Sequence, residues 1–145
     1  MVKEKFKVLE KLVTADVAYE TYGKDLNELF SNSALALCSA MVEPKTVAVK
    51  VPIKWKMQNK DLNTLLVDFL NELVYYKDAE SLFLPKVKVK VVEKDGLYRL
   101  AAEALGDKID FHKHKLLADV KAATFHMFAM QKKGKAWIAR FVLDI

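Results

Sequence analysis

Cysteine is almost missing from this 145-residue chain: Cys38 stands alone, which excludes an intramolecular disulfide and a zinc cage built from thiolates. Glycine and proline are scarce too, at four and three residues, and no Ser/Gly/Pro-rich stretch or repeat interrupts the sequence. No linker is expected. At this length, with 52% hydrophobic residues, a single domain over 1–145 can bury a core without staples. Arginine is the third shortage, since only Arg99 and Arg140 accompany 22 lysines. Base readout and bidentate phosphate clamps favour the planar guanidinium, so such a surface argues against a dedicated sequence-specific nucleic-acid reader. The formal charge of +5 leaves room for a diffuse attraction to RNA or to an acidic partner. Long apolar runs are absent as well: the longest uncharged one, Leu29 to Val42, falls short of the roughly 20 residues of a membrane span. Charges at Lys3, Glu4, Lys5, Lys7 and Glu10 leave no apolar segment for a signal peptide. A soluble, cytoplasmic protein is expected, with no membrane association.

What the chain does contain is a succession of short hydrophobic periods. Lys5 to Leu9 and Ala15 to Tyr22 carry strand patterns, separated by Glu10 to Thr14 and closed by a turn at Gly23. Helical spacing follows, because Leu26, Leu29, Phe30, Ser33, Ala34, Leu37 and Met41 share one face, and Asp25 with Glu28 forms a D-x-x-E start signal. From Val47 to Met57 the period is two, with Lys50, Lys54 and Lys56 on the other side; Pro52 lacks a ladder donor and points to a bent or edge strand. A second helix after Asn59 to Asp61 has Leu62, Leu65, Leu66, Phe69 and Leu73 as its stripe and should end near Lys77. Val87, Val89 and Val91 alternate with Lys86, Lys88 and Lys90, and Asp95-Gly96 turns the chain into Leu97 to Leu105, a hairpin. Gly106 to Asp119 reads as a loop. Two more strands, Val120 to Met130 and Trp137 to Ile145, join across Lys132-Lys133-Gly134. The predicted architecture is α+β, a largely antiparallel β-sheet packed against two α-helices.

Enzyme signatures are missing: there is no G-x-S-x-G, no H-E-x-x-H and no phosphate-cradling glycine motif. Cys38 lies within the uncharged helix, where core packing explains it better than nucleophilic chemistry. Asp16 sits between Ala15 and Val17 in an apolar strand start, where a carboxylate needs a neutralising partner. Taken alone, it reads as a turn or cap acid rather than a ligand. Asp144 beside the terminal Ile145 poses the same question, and two acids with a chain-terminal carboxylate would suit Ca²⁺, Mg²⁺ or Mn²⁺; nothing in the spacing shows that 16 and 144 meet. Asp68 and Glu72, four apart, read as a solvated border of the second helix. His112 and His114 beside Asp110 form a weak metal signal opposed by Lys113 and Lys115. His126 shares a side with Val120, Ala122, Thr124 and Phe128 and reads as a hydrogen-bonded core histidine, and Lys121, pointing the other way, as a solvated edge.

Four blocks taken together resemble the archease family across nearly the whole chain. They are Thr14-Ala15-Asp16-Val17 with Tyr22-Gly23-Lys24 and Leu26 to Phe30; Leu65 to Leu73; Val120-Lys121-Ala122-Ala123-Thr124-Phe125-His126, preceded by His114; and Ala139 to Ile145. The resemblance implies that the chain ends meet, with Asp16, Asp144 and the Ile145 carboxylate around a divalent cation (Ca, Mg or Mn), and Lys121 and His126 in a functional surface. It further implies a non-enzymatic accessory protein of the GTP-dependent RtcB-type RNA ligase of tRNA splicing. Such a protein would promote guanylylation and turnover of the ligase and associate with tRNA halves only indirectly. One departure stands out: Leu12-Val13 occupies the place of the acidic residue and histidine that many members carry. A metal-dependent phosphoesterase or nuclease using Asp16, Asp144, His126 and Lys121, and a chaperone-like RNA- or protein-binding module, are the competing readings.

Overall fold

Period-two alternation puts much of the chain into strands, and the computed structural model, which describes residues 4–9 and 16–145, divides them between two antiparallel sheets. The first contains β1 (Phe6–Leu9), β2 (Asp16–Gly23), β6 (Ala122–Lys133) and β7 (Ala136–Asp144) in the order β1-β2-β7-β6. The second contains β3 (Val51–Asn59), β4 (Leu82–Lys94) and β5 (Leu97–Lys108) in the order β3-β5-β4. Two helices, α1 (Leu26–Met41) and α2 (Leu62–Glu80), bring the sheets together: α1 packs on β4 and β2, and α2 on β6, β3 and β4. The predicted α+β architecture is thus observed, with the strands split into two layers.

The D-x-x-E signal starts α1. The Glu28 N–H donates to Asp25 Oδ1 at 2.8 Å, and the Glu28 carboxylate accepts from the Lys24 N–H at 3.0 Å, one residue further back than in the usual reciprocal box. Because one sheet lies on each side, burial covers more of this helix than the predicted stripe. Ala36, Cys38 and Ala40 join Leu29, Phe30 and Leu37 inside. Burial also pushes the Cys38 thiol up to about 12, consistent with a packing role.

Asp61 caps α2, accepting from the Asn63 N–H and the Thr64 hydroxyl. The helix runs past the expected end at Lys77 to Glu80, where Ser81 adopts a left-handed conformation. Lys77 does not end the helix because it is a buried anchor: its ammonium donates to Val120 O at 2.7 Å and pairs with Asp119 at 2.5 Å and Asp78 at 2.8 Å.

β3 begins at Val51, four residues later than the alternation suggested: after the 3₁₀ turn at Pro44–Thr46, Val47 is buried but Val49 faces solvent, so the two do not share a face. It lies at the edge of its sheet, where Pro52 is tolerated. β4 starts at Leu82, ahead of its alternating part. A register shift between Phe83 and Lys86 lets the consecutive Leu82, Phe83 and Leu84 all be buried. Opposite that irregularity, a Cβ on Gly106 would stand 1.8 Å from Phe83 O, so only glycine fits the close approach. The β4–β5 turn has positive φ at both Asp95 and Gly96, as a two-residue hairpin loop demands. The loop expected from Gly106 begins only after Lys108. Its later part is tied down at the end of α1, where Leu117 and Ala118 N–H groups donate to Met41 and Ala40 carbonyls.

Candidate functional site

The middle of the first sheet is formed by β2 and β7, strands from near opposite ends of the sequence. Their register sets Asp16 opposite Asp144, Val17 opposite Leu143 and Ala18 opposite Val142. Residues directly opposed in an antiparallel pair project to the same face. Tyr19, Thr21, Phe141 and Leu143 belong to the face that packs on the helices, where Tyr19 stacks on Phe141 and the Thr21 hydroxyl meets the Ser33 hydroxyl at 2.8 Å. Asp16 and Asp144 fall in the alternate set, with Glu20 and Arg140, which form their own ion pair at 3.2 Å. Both aspartates are half-buried. Among the described residues neither has a lysine or arginine within salt-bridge distance. The sequence left open whether these acids meet; in the fold they stand face to face.

Lys121 is held at the same end of the sheet, since its N–H donates to Asp144 O at 2.7 Å and Ala122 pairs with Asp144. Its side chain is exposed, as the reading of a solvated edge expected. His126 requires a correction. The regular alternation placed it on the core face, but the register between β6 and β7 breaks between Thr124 and Ala129, and Met127 takes a φ of 54°. The bulge turns Phe125, His126 and Met127 outward together; His126 is exposed, its N–H donating to Thr124 Oγ1 at 3.3 Å.

Asn71, which the sequence reading passed over, secures this strand just before the bulge. Its side-chain amide donates to Ala123 O at 3.0 Å and its oxygen accepts from the Ala123 N–H at 2.8 Å. A polar residue between the buried Leu70 and Leu73 of α2 was the available signal. Asp68 is exposed and Glu72 half-buried, and with Met57, Asn71 and Tyr75 they line an open groove of about 540 Å³, consistent with a solvated border.

The histidine loop does not converge on a site. His112 is exposed. His114 is buried, its Nδ1 accepting from the Asp110 N–H at 3.1 Å and its ring packing edge-on against Phe83, while Nε2 has no hydrogen-bond partner. The His112 N–H donates to Asp110 Oδ1 and holds that carboxyl below its ordinary value.

Among the described residues no three His, Cys, Asp or Glu side chains gather into a metal cage. Any cation between Asp16 and Asp144 would therefore need further oxygen donors. The donor chemistry fits a hard cation: two opposed carboxylates repel each other unless a positive charge neutralises them. Leu12-Val13 lie outside the described residues. Also among the described residues, no helix is long and apolar enough to cross a membrane.

The fold is that of a small α+β protein in which strands from near the two ends of the sequence pair and set two aspartates opposite each other. The chain belongs to the archease family: the profile of the Archease protein family matches residues 6–145. It is 39% identical over 133 residues to the protein archease of Pyrococcus furiosus, covering 91% of this chain and 94% of that one. Against the protein archease of Sulfurisphaera tokodaii it is 35% identical, covering 98% of this chain and 99% of that one. Among solved structures, the solution structure of Methanobacterium thermoautotrophicum protein 1598 superimposes with a TM-score of 0.83 at 34% identity, covering 97% and 99% of the two chains. The crystal structure of a Thermotoga maritima protein, described as an archease and possible chaperone, shares the fold with a TM-score of 0.62 at 16% identity, covering 94% and 98%.

Proposed function

We propose that this protein is a non-enzymatic, metal-binding accessory protein of a GTP-dependent RtcB-type RNA ligase in tRNA splicing, promoting guanylylation and multiple turnover of the ligase. The observation that carries the reading is the register of β2 on β7, which sets Asp16 opposite Asp144 with no basic partner among the described residues. Family membership supports it, and the description of the Thermotoga maritima protein as a possible chaperone accords with an assisting role.

In this reading Asp16, Asp144 and the Ile145 carboxylate hold a divalent cation (Ca²⁺, Mg²⁺ or Mn²⁺). When bound, the cation supplies positive charge that can be set against nucleotide phosphates, an electrostatic contribution needing no covalent chemistry from this chain. The protein orients the two carboxylates through the β2–β7 ladder and presents Lys121 and His126, both exposed near that end of the sheet, to its partner. In this reading it acts in the cytoplasm and associates with tRNA halves indirectly, through the ligase.

The test is multiple-turnover joining of RNA ends by the cognate ligase with GTP and Mn²⁺, comparing no addition, this protein, Asp16→Asn and Asp144→Asn. Stimulation by the wild type, lost in both folded variants, is the expected result. Absence of stimulation at every metal concentration overturns the proposal, and hydrolysis of RNA by the protein alone would replace it with a phosphoesterase.

A further inference from the structure

The second sheet turns one face to the helices and the other to solvent. From the solvent face project Lys54 and Lys56 on β3, Lys86, Lys88 and Lys90 on β4, and Arg99 on β5, all exposed. Across the register rows Lys54–Glu103–Lys88, Lys56–Ala101–Lys90 and Gln58–Arg99–Val92, and the Leu105 row that carries Lys86, Glu103 is the one acid, 3.4 Å from Lys54. Within these four rows six basic side chains meet one acid, a net charge of +5, equal to the formal charge of the entire chain. The rest of the molecule is balanced; the basic excess of the sequence is gathered on one sheet face.

The face is also shaped. Ala101, the smallest side chain in its row, lies between Lys56 and Lys90, and the depression over it, with Arg99 in the next row, forms an open trough of about 640 Å³. Alternate residues along a strand are about 6.8 Å apart, close to the separation of successive phosphates along an extended nucleic-acid strand. Lysine neutralises phosphates as a point charge rather than as a base-reading fork. No aromatic side chain stands in these rows to stack a base. A protein partner would be matched instead by an apolar, charge-poor centre, and lysine is depleted at such interfaces.

We propose that this face binds the phosphodiester backbone of single-stranded nucleic acid, without sequence preference, seating the strand in the trough over Ala101 between Lys56 and Lys90. The inference goes beyond the ligase reading and stands without it, because it concerns this protein alone.

Fluorescence anisotropy of the full chain with labelled oligouridylate and oligothymidylate of about 16 nucleotides, across a salt series, tests it. Phosphate contacts by the face predict a slope of log affinity on log salt of about −3 to −4, at roughly −0.7 per contact. The double variant Lys56→Glu/Lys90→Glu should bind at least ~10-fold more weakly, with a slope shallower by about 1.4. Lys132→Glu/Lys133→Glu makes the same change in net charge on β6 and should cost ~2-fold or less. Ala101→Leu, which fills the trough without altering charge or adding a surface on which a base could stack, should weaken binding several-fold. Circular dichroism melting checks that each variant is folded. Equal loss in the two double variants, no binding to either oligonucleotide at about 50 mM salt, or tighter binding of poly-glutamate with the same residue dependence would overturn the proposal, the last in favour of an acidic protein partner. Binding of both oligonucleotides identifies the shared backbone as the ligand; binding of the ribose form alone would overturn the backbone-only mode.

Discussion

Replacing either Asp16 or Asp144 with asparagine should stabilise the metal-free protein while abolishing its response to divalent cations. The two residues are directly opposed in the β2–β7 ladder, a geometry that brings Cβ atoms to about 4.5–5.5 Å. Two unit charges about 5 Å apart in a water-like dielectric repel by about 0.8 kcal/mol. Asparagine keeps the shape and removes the repulsion. For a chain of this length about 1 kcal/mol corresponds to roughly 2–4 °C in melting temperature, so each variant should melt ~2–3 °C above wild type in EDTA. In Mn²⁺ or Ca²⁺ the order should reverse. A cation at about 100 times its dissociation constant stabilises by ~2.7 kcal/mol, raising the wild-type melting temperature by about 5–10 °C on the same scale, with little change in either variant. Differential scanning calorimetry in EDTA and over a cation titration reads both effects. If both variants melt below wild type in EDTA and no cation shifts the wild type, the opposed carboxylates are not a repelling pair awaiting a cation, and the metal-binding proposal loses its physical basis.

Burial opposes the charge of Lys77, but the hydrogen bonds of Asp119 and Asp78 outweigh it and raise its pKa, so the folded protein holds that proton more tightly than the unfolded chain. Its contribution is full below the pKa of an unfolded lysine, about 10.4, and is lost as pH rises through the folded value. Urea unfolding between neutral and strongly alkaline pH should show that loss in wild type and not in Lys77→Met, which also leaves Val120 O without its donor at a cost of about 1–3 kcal/mol. Gly106→Ala should cost about 3 kcal/mol, because the new Cβ would collide with Phe83 O and push β4 from β5. Gly96→Ala, where only the left-handed backbone is strained and nothing lies within 4 Å, should cost about 1–2 kcal/mol. Equal losses in urea would refute the packing explanation.

Signals carried within a few residues were legible before any fold was known. The alternating valines and lysines of β4, the Asp95-Gly96 turn and the Asp25–Glu28 start of α1 all express local geometry, and they appear where the sequence puts them. The four family blocks likewise identified the family, because order and spacing along a chain are properties of the sequence itself. What misled was regularity assumed to continue: β6 loses its alternation at the bulge, which moves His126 from the expected core face to solvent, and α2 runs past Lys77 because a partner strand end, around Asp119 and Val120, takes up the ammonium.

Helical and strand periods, residue chemistry and counts need no partner, so the succession of elements, the single thiol and the lysine-rich charge are legible along the chain itself. No local pattern reveals that the strands form two sheets, that Asp16 stands opposite Asp144, or that basic side chains gather on one face of β3, β4 and β5. Each of these depends on register between segments far apart in the chain. Register is set by how whole faces pack together, and a one-residue slip would turn every side chain to the opposite face.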